Sequence, residues 1–227
     1  MRSNTKQQSK QFTKQVSLSV SKKQSSIKNK KLAYDLFEKA LTQTQSYKRS
    51  LKSLLTAKQS ITEALSLNPI DSDSLNLLSR IELELGNQNL ALVAINTALE
   101  LQPDNGGYWY SSGHALLANH ETVKAKISFQ KAIELSPGET RAEISLAYIY
   151  SELDEPIKAF ELFRELAKDQ PHDIQVRSQL LNSASTLTAD YYDQQLEHDL
   201  INYLKWEDVN LSPLANLTCS LLEHKFK

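Results

Sequence analysis

The sequence predicts an all-α protein made of tandem helical repeats, and three observations support this fold class. Four of the six prolines in the 227-residue chain lie 34 residues apart, an interval typical of helical repeat arrays. Small and large apolar residues recur at fixed places before each of these prolines. The hydrophobic fraction of 40% is slightly low for a compact globule and suits an elongated array. The four prolines are Pro69, Pro103, Pro137 and Pro171.

The segment before each proline is predicted to be a helix with one apolar face. Before Pro137, the residues Ala125, Phe129 and Ala132 are four and three positions apart, which places them on the same helical face. The small residues allow close helix approach, and the proline ends the helix because it lacks an N–H. The other units carry Ala57, Ile61 and Ala64, then Ala91, Ile95 and Ala98, then Ala159, Phe163 and Leu166.

A second apolar helix precedes each of these segments, and its residues identify a family resemblance. The clearest case has Trp109, Gly113 and Leu116, followed by the Ala-x3-Phe pattern and the closing proline. This arrangement resembles the tetratricopeptide repeat. The resemblance implies a right-handed α-α superhelix, or solenoid, with helical repeats over residues 31–186. It divides them into clear units at 72–105, 106–139 and 140–173, a degenerate unit at 38–71 and a half unit at 174–186.

The first 30 residues are predicted to be a disordered basic leader. Residues 1–31 hold nine Lys or Arg and no Asp or Glu, and they have few large apolar residues. The remaining residues hold 17 basic and 27 acidic side chains, a net charge of about −10. A solvated leader is favoured; contact of residues 1–30 with nucleic acid or an anionic membrane, and a transit peptide, remain alternatives.

The repeat pattern also predicts where each helix begins and ends. Asp71 and Asp173 are candidate N-caps, and Pro156 suits the first turn of its helix. The first helix of the 72–105 unit departs from the pattern with Ser79 and Glu82, so loose packing is expected there. The expected helices cover residues 31–47, 51–66, 72–85, 88–101, 107–119, 122–135, 140–153, 156–168 and 173–186.

Residues 187–227 are predicted to form a C-terminal helical cap. An array needs its last hydrophobic face covered, and two amphipathic helices, at about 190–205 and 213–226, could cover it. Ser212 and Pro213 suit the start of the second one. The apolar stripes are Leu196, Leu200, Ile201 and Leu204, then Leu214, Leu217, Leu221 and Leu222.

The resemblance implies that a partner binds on the concave face formed by the first helices of successive repeats. Tyr108, Trp109 and Tyr110 support this prediction, because three adjacent aromatics cannot all be buried on one helical stripe. An extended peptide or a helix could lie along this groove. The groove residues, two per first helix, are Asn76 and Arg80, Tyr110 and His114, Ile144 and Tyr148, and Ser178 and Asn182.

Two known uses of such a groove are not supported by these residues. Co-chaperones that bind heat-shock protein C-termini place Lys, Arg and Asn at these positions, whereas this chain has Tyr110 and His114. The asparagine ladder of O-linked N-acetylglucosamine transferases is replaced at the neighbouring positions by Leu77, Ser111, Ser145 and Gln179.

No catalytic motif, cofactor site or metal-ligand spacing is found in the sequence. It has no glycine-rich phosphate loop, no nucleophile elbow and no His-Glu-x-x-His. The five histidines are scattered, and the single Cys219 follows the pattern of an inert buried thiol. One cysteine, no long apolar run and no secretory signal lead us to expect a cytoplasmic protein.

The resemblance therefore predicts a protein–protein interaction module, a non-enzymatic adaptor or scaffold. The alternative is the recruiting N-terminal module of a larger enzyme, such as a repeat-linked methyltransferase or glycosyltransferase. An RNA-binding helical array is less favoured, because the repeats are acidic.

Overall fold

The computed structural model describes residues 28–45, 50–138, 140–185 and 187. Over these residues the regular structure is helical, without a strand, which confirms the predicted all-α repeat fold. The predicted leader falls outside the described residues up to residue 27, and the predicted cap falls outside them from residue 188.

The helices lie close to their predicted positions. Helix α1 spans residues 28–45 and begins three residues before the prediction, so the last residues assigned to the leader are helical. The later described helices begin and end within one residue of the predicted positions. They are α2 (Leu51–Leu67), α3 (Ser72–Glu84), α4 (Gln88–Leu101), α5 (Gly106–Ala118), α6 (Thr122–Leu135), α7 (Thr140–Glu152), α8 (Pro156–Asp169) and α9 (Ile174–Ser185).

The small and large apolar residues of the second helices form the cores between helices. Each of them is at most 3% exposed, in all four repeats. Each repeat in such an array contacts only its neighbours, so its stability comes from the apolar side chains buried within the repeat and against the adjacent one. These residues are Ala57, Ile61 and Ala64 in α2, Ala91, Ile95 and Ala98 in α4, Ala125, Phe129 and Ala132 in α6, and Ala159, Phe163 and Leu166 in α8.

The chain forms two bodies, Met1–His120 and Glu121–Lys227. In the N-terminal body, α3 packs against α2, α4 and α5, and α4 also packs against α5. In the C-terminal body, α7 packs against α6 and α8, and α8 packs against α9. Phe160 and Phe163 share the core of this second body with Leu180 of α9.

The first helix of the 72–105 repeat is well packed, contrary to expectation. Ser79 is fully buried and Glu82 is 4% exposed. The charge of Glu82 can be buried because its carboxylate accepts hydrogen bonds from Lys58 Nζ at 3.1 Å and Asn87 Nδ2 at 2.7 Å. Buried charge is tolerated when it is paired and hydrogen-bonded, so Glu82 does not loosen the helix.

The two predicted N-caps differ in the structure. Asp173 Oδ1 accepts hydrogen bonds from the backbone N–H of Gln175 at 2.8 Å and of Val176 at 3.1 Å. Asp71 occupies the N-cap position of α3 without such a bond; its Oδ2 accepts instead from the Ser74 hydroxyl at 2.5 Å. Pro156 lies in the first turn of α8, as predicted.

Candidate functional site

The predicted groove residues lie on two first helices of each body. We define the α3–α5 surface as Asn76, Arg80, Tyr110 and His114 in the N-terminal body. We define the α7–α9 surface as Ile144, Tyr148, Ser178 and Asn182 in the C-terminal body. Each of these eight side chains is at least partly exposed to solvent. Their positions in the 34-residue repeat predict that these residues lie on an accessible surface.

The α3–α5 surface brings its four residues onto two helices in direct contact. The Tyr110 and His114 rings meet edge to face, with 4.6 Å between their centroids and 76° between their planes. Arg80 is exposed and Asn76 is half-buried. The Asn76 Oδ1 atom is shielded from solvent and has no hydrogen-bond partner in the protein. The surface therefore combines an ordered aromatic pair, a cation and an amide with an unused acceptor.

Three consecutive aromatic residues at the start of α5 point in different directions. Tyr108 is 3% exposed, and its hydroxyl donates to Asp73 Oδ1 at 2.7 Å. Burial of the ring and this hydrogen bond raise the pKa of Tyr108 above its ordinary value. Trp109 is half-buried and donates from Nε1 to the Pro103 carbonyl at 2.7 Å. Tyr110 is left on the α3–α5 surface, in agreement with the argument that the three cannot all be buried.

The α7–α9 surface is built on a shared apolar core. Ile144 is half-buried and packs against this core, to which α7, α8 and α9 all contribute. Tyr148 is 38% exposed, and its ring meets that of buried Phe163 edge to face at 5.7 Å. Ser178 is half-buried and Asn182 is exposed. The Tyr148 ring is thus held on one side by the core and open on the other.

Sequence reasoning missed a lysine contact that links neighbouring repeats in both bodies. Lys58 Nζ on α2 lies 2.9 Å from Glu82 Oε1 on α3. Two repeats later, Lys126 Nζ on α6 lies 2.8 Å from Glu155 Oε1 at the start of α8. The 68-residue spacing of the two lysines, which is twice the repeat period, was visible in the sequence, whereas their common role in pairing an acidic residue was not.

The second of these contacts gathers several charges around an aromatic ring. Glu155 also accepts from Lys158 Nζ at 2.5 Å. Lys126 Nζ lies 5.1 Å and Lys158 Nζ 5.6 Å from the centroid of the Tyr150 ring, within the range of cation–π attraction. The hydrogen bonds from Lys126 and Lys158 lower the pKa of Glu155, and Glu155 raises the pKa of Lys158. The cluster joins α6, α7 and α8 at the surface.

The described part of the chain shows neither a metal-binding cluster nor a membrane-spanning helix. There, no group of three or more His, Cys, Asp or Glu residues is arranged to hold a metal ion. None of the helices described is both long enough and apolar enough to span a membrane.

Comparison with protein families finds one tetratricopeptide repeat, at residues 72–105, which span α3 and α4. Among curated proteins, the polyribonucleotide nucleotidyltransferase of Bacillus subtilis strain 168 is 30% identical over 92 residues. This match covers 40% of the chain and only 13% of the enzyme.

Several solved structures resemble this fold over part of the chain. Pseudomonas aeruginosa PilF has a TM-score of 0.65 and 15% identity, covering 84% of this chain and 78% of PilF. The Thermobaculum terrenum O-GlcNAc transferase has a TM-score of 0.57 and 26% identity, covering 62% of this chain and 26% of the transferase.

A third structure is the first tetratricopeptide domain of Spaghetti (RPAP3) bound to the HSP90 peptide SRMEEVD. Its TM-score is 0.51 at 19% identity, covering 55% of this chain and 95% of that domain. The 34-residue period, the buried signature residues, the family match and these structures agree. The described residues therefore have a tetratricopeptide repeat fold, and residues 72–105 match the tetratricopeptide repeat family itself.

Proposed function

We propose that this protein is an adaptor or scaffold whose first helices bind a peptide or helix of a partner protein. The observation that carries the proposal is the selective exposure of the predicted binding positions. On α5, Tyr108, Ser111 and Ser112 are at most 7% exposed, whereas Tyr110 and His114 remain accessible. Accessible aromatic residues beside buried neighbours on the same helix are typical of a contact surface.

The chemistry of the α3–α5 surface suits an extended peptide. The Tyr110–His114 pair offers a flat apolar contact that is already ordered, so little side-chain entropy would be lost on binding. Arg80 could pair with a carboxylate. Asn76 is half-buried on the same surface, and its side-chain amide could hydrogen-bond the peptide backbone.

The α7–α9 surface offers a second, more apolar contact. The Tyr148 ring packs edge to face against buried Phe163, and Ile144 lies one helical turn before Tyr148 on α7. This pair suits the apolar face of a helix or the side chains of an extended segment. The RPAP3 domain shows that a related repeat fold can hold a short peptide.

Selection of a displayed peptide library on the full chain would test this proposal. Recovered peptides are expected to bind Tyr110→Ala or Tyr148→Ala about tenfold or more weakly, measured by isothermal titration calorimetry. The matched control is Tyr34→Ala, since Tyr34 is a 62% exposed tyrosine on α1 that belongs to neither surface. An equal loss of peptide affinity in the control, or no loss of affinity in the two surface variants, would contradict the proposal.

A second candidate function is the recruiting module of a larger enzyme. Its support is the O-GlcNAc transferase, which is 26% identical to this chain and of which the match covers 26%. Immunoblotting of native extract with an antibody against the repeats would separate the two candidates. A band whose apparent mass is much larger than that of a 227-residue chain would support the enzyme module, and a band at the mass of a 227-residue chain would contradict it.

A further inference from the structure

The solvent-facing side of α4 exposes three large apolar residues, as does that of α6 with Val123, Ile127 and Leu135. Leu90 is 53% exposed, Val93 65% and Leu101 41%. We define the α4 outer face as these three residues with exposed Asn96 and half-buried Thr97. Positions 90, 93, 97 and 101 follow the spacing of three and four residues with which helices pack side by side.

The α4 outer face also lacks charge along most of its length. No charged residue occurs from Gln88 to Leu99, although 23% of the chain is charged. The second helices of the other repeats differ, since each exposes a lysine near its start. These lysines are Lys52 on α2, Lys124 on α6 and Lys158 on α8.

Absence of charge distinguishes a surface that can meet a copy of itself. In a two-fold dimer each residue approaches the same patch of the other chain, so a charged patch would face its own charge. In an antiparallel pair only residues near the middle of the helix approach their own copies, and α4 has no charged residue there, so it would bury aliphatic side chains without repulsion between equal charges.

We propose that the α4 outer face packs antiparallel against the α4 outer face of a second copy of this chain. Pairing centred between Val93 and Thr97 brings Glu100, the exposed acid in the last turn, near the start of the partner helix. That helix start has no side-chain cap, and Asn87 Nδ2 donates a hydrogen bond to Glu82 Oε2. A carboxylate beside an uncapped helix N-terminus is favourable, which supports the antiparallel direction.

This contact is independent of the proposed peptide surfaces. It uses a second helix, whereas the α3–α5 and α7–α9 surfaces lie on first helices. Failure of the dimer would therefore leave peptide binding intact, and the Tyr110→Ala and Tyr148→Ala variants are expected to dimerise normally.

Sedimentation equilibrium of the full chain over a wide concentration range tests the dimer. We expect a monomer–dimer equilibrium whose dissociation constant rises about tenfold or more in Val93→Lys, because two buried valines become two facing charges. Val123→Lys on α6 is the matched control, since Val123 is 64% exposed and lies outside the α4 outer face. The dissociation constant of this variant should equal that of the wild-type chain. Circular dichroism checks that both variants keep their helix content.

A charge-reversal pair supplies a positive test of the same face. The variants Val93→Lys/Asn96→Lys and Val93→Glu/Asn96→Glu should each be monomeric, and their equimolar mixture should form a mixed dimer. A monomeric wild-type chain at all concentrations, an unaffected Val93→Lys dimer, or failure of the two variants to pair would overturn the proposal.

Discussion

Single positions show how each repeat fills the same inter-repeat contact with different chemistry. Lys58 and Lys126 occupy one repeat position, at which the intervening repeat has Leu92 and the last has Phe160. The two lysines reach acidic residues of the next repeat, whereas Phe160 is buried in an apolar core with Ala184. The architecture requires that the position be filled and its polar groups paired, and either chemistry meets that requirement.

The Lys58–Glu82 contact allows a quantitative prediction at this scale. Lys58→Met should lower the free energy of unfolding by about 1–3 kcal/mol, because Glu82 then keeps its buried charge with one partner fewer. The double variant Lys58→Leu/Glu82→Leu should recover most of this loss, since Leu92 and Leu116 occupy these positions one repeat later. Urea unfolding followed by circular dichroism measures both.

The control for this prediction is Lys131→Met. Lys131 pairs with Glu134 one turn away, with both side chains about half exposed, and such pairs contribute little. An equal loss in Lys131→Met, or a double variant weaker than Lys58→Met, would show that Glu82 is not stabilised by its partner.

The sequence shows that Glu82 is unusual at its repeat position, and it does not show which residues contact Glu82. Glu82 was recognisable as a departure from the apolar pattern, because the period assigns an apolar residue to its position. Its partners were not recognisable, since Lys58 lies 24 residues away on another helix. Loose packing was therefore a wrong prediction, and only the packed helices show how the charge is accommodated.

Helices are the scale at which sequence reasoning succeeded best. The proline interval and the apolar spacing recur four times, so the boundaries of α2 to α9 follow closely from the period. The turns were less predictable. Gly86 adopts a positive φ of 78°, and His120 and Asp154, at the same repeat position, adopt 61° and 58°. The left-handed conformation is expected for Gly86, whereas the repeat geometry imposes it on the other two residues.

The two aspartates before α3 and α9 lead to a prediction about helix ends. Asp173→Ala should lower the free energy of unfolding by about 0.5–2 kcal/mol, because it removes bonds to two N–H groups of the first turn. Asp71→Ala should cost less, since the Asp71 carboxylate bonds the Ser74 side chain and no first-turn N–H. Thermal unfolding of both variants compares the costs; an equal cost would mean that cap bonding does not decide the difference.

At the level of the whole molecule, the fold was more predictable than the binding surfaces. The accessible positions followed from the repeat period, because equivalent residues of stacked repeats share a face. The contacts that orient Tyr110 and Tyr148 did not follow from it. His114 lies one turn from Tyr110 on the same helix, whereas Phe163 reaches Tyr148 from another. Such side-chain contacts depend on helix packing, which the period of a sequence does not specify.

Each body of the molecule has a core of its own, and this separation is open to experiment. Phe163 is 2% exposed in the C-terminal body, and Phe163→Ala should cost about 3–5 kcal/mol by removing a large core side chain. Stability in repeat arrays is the sum of local terms, so the loss should be concentrated near the substitution. Hydrogen–deuterium exchange should rise in α7, α8 and α9 while α2, α3 and α4 stay protected.

The reciprocal variant completes this test. Ile61 is fully buried in the N-terminal body, and Ile61→Ala should increase exchange in α1, α2 and α3 while the C-terminal body keeps its protection. Each substitution leaves the other core intact, so each serves as the control for the other. If either variant raised exchange equally in all the helices, the chain would unfold as one cooperative unit. The prediction that each core stabilises its own body would then be wrong.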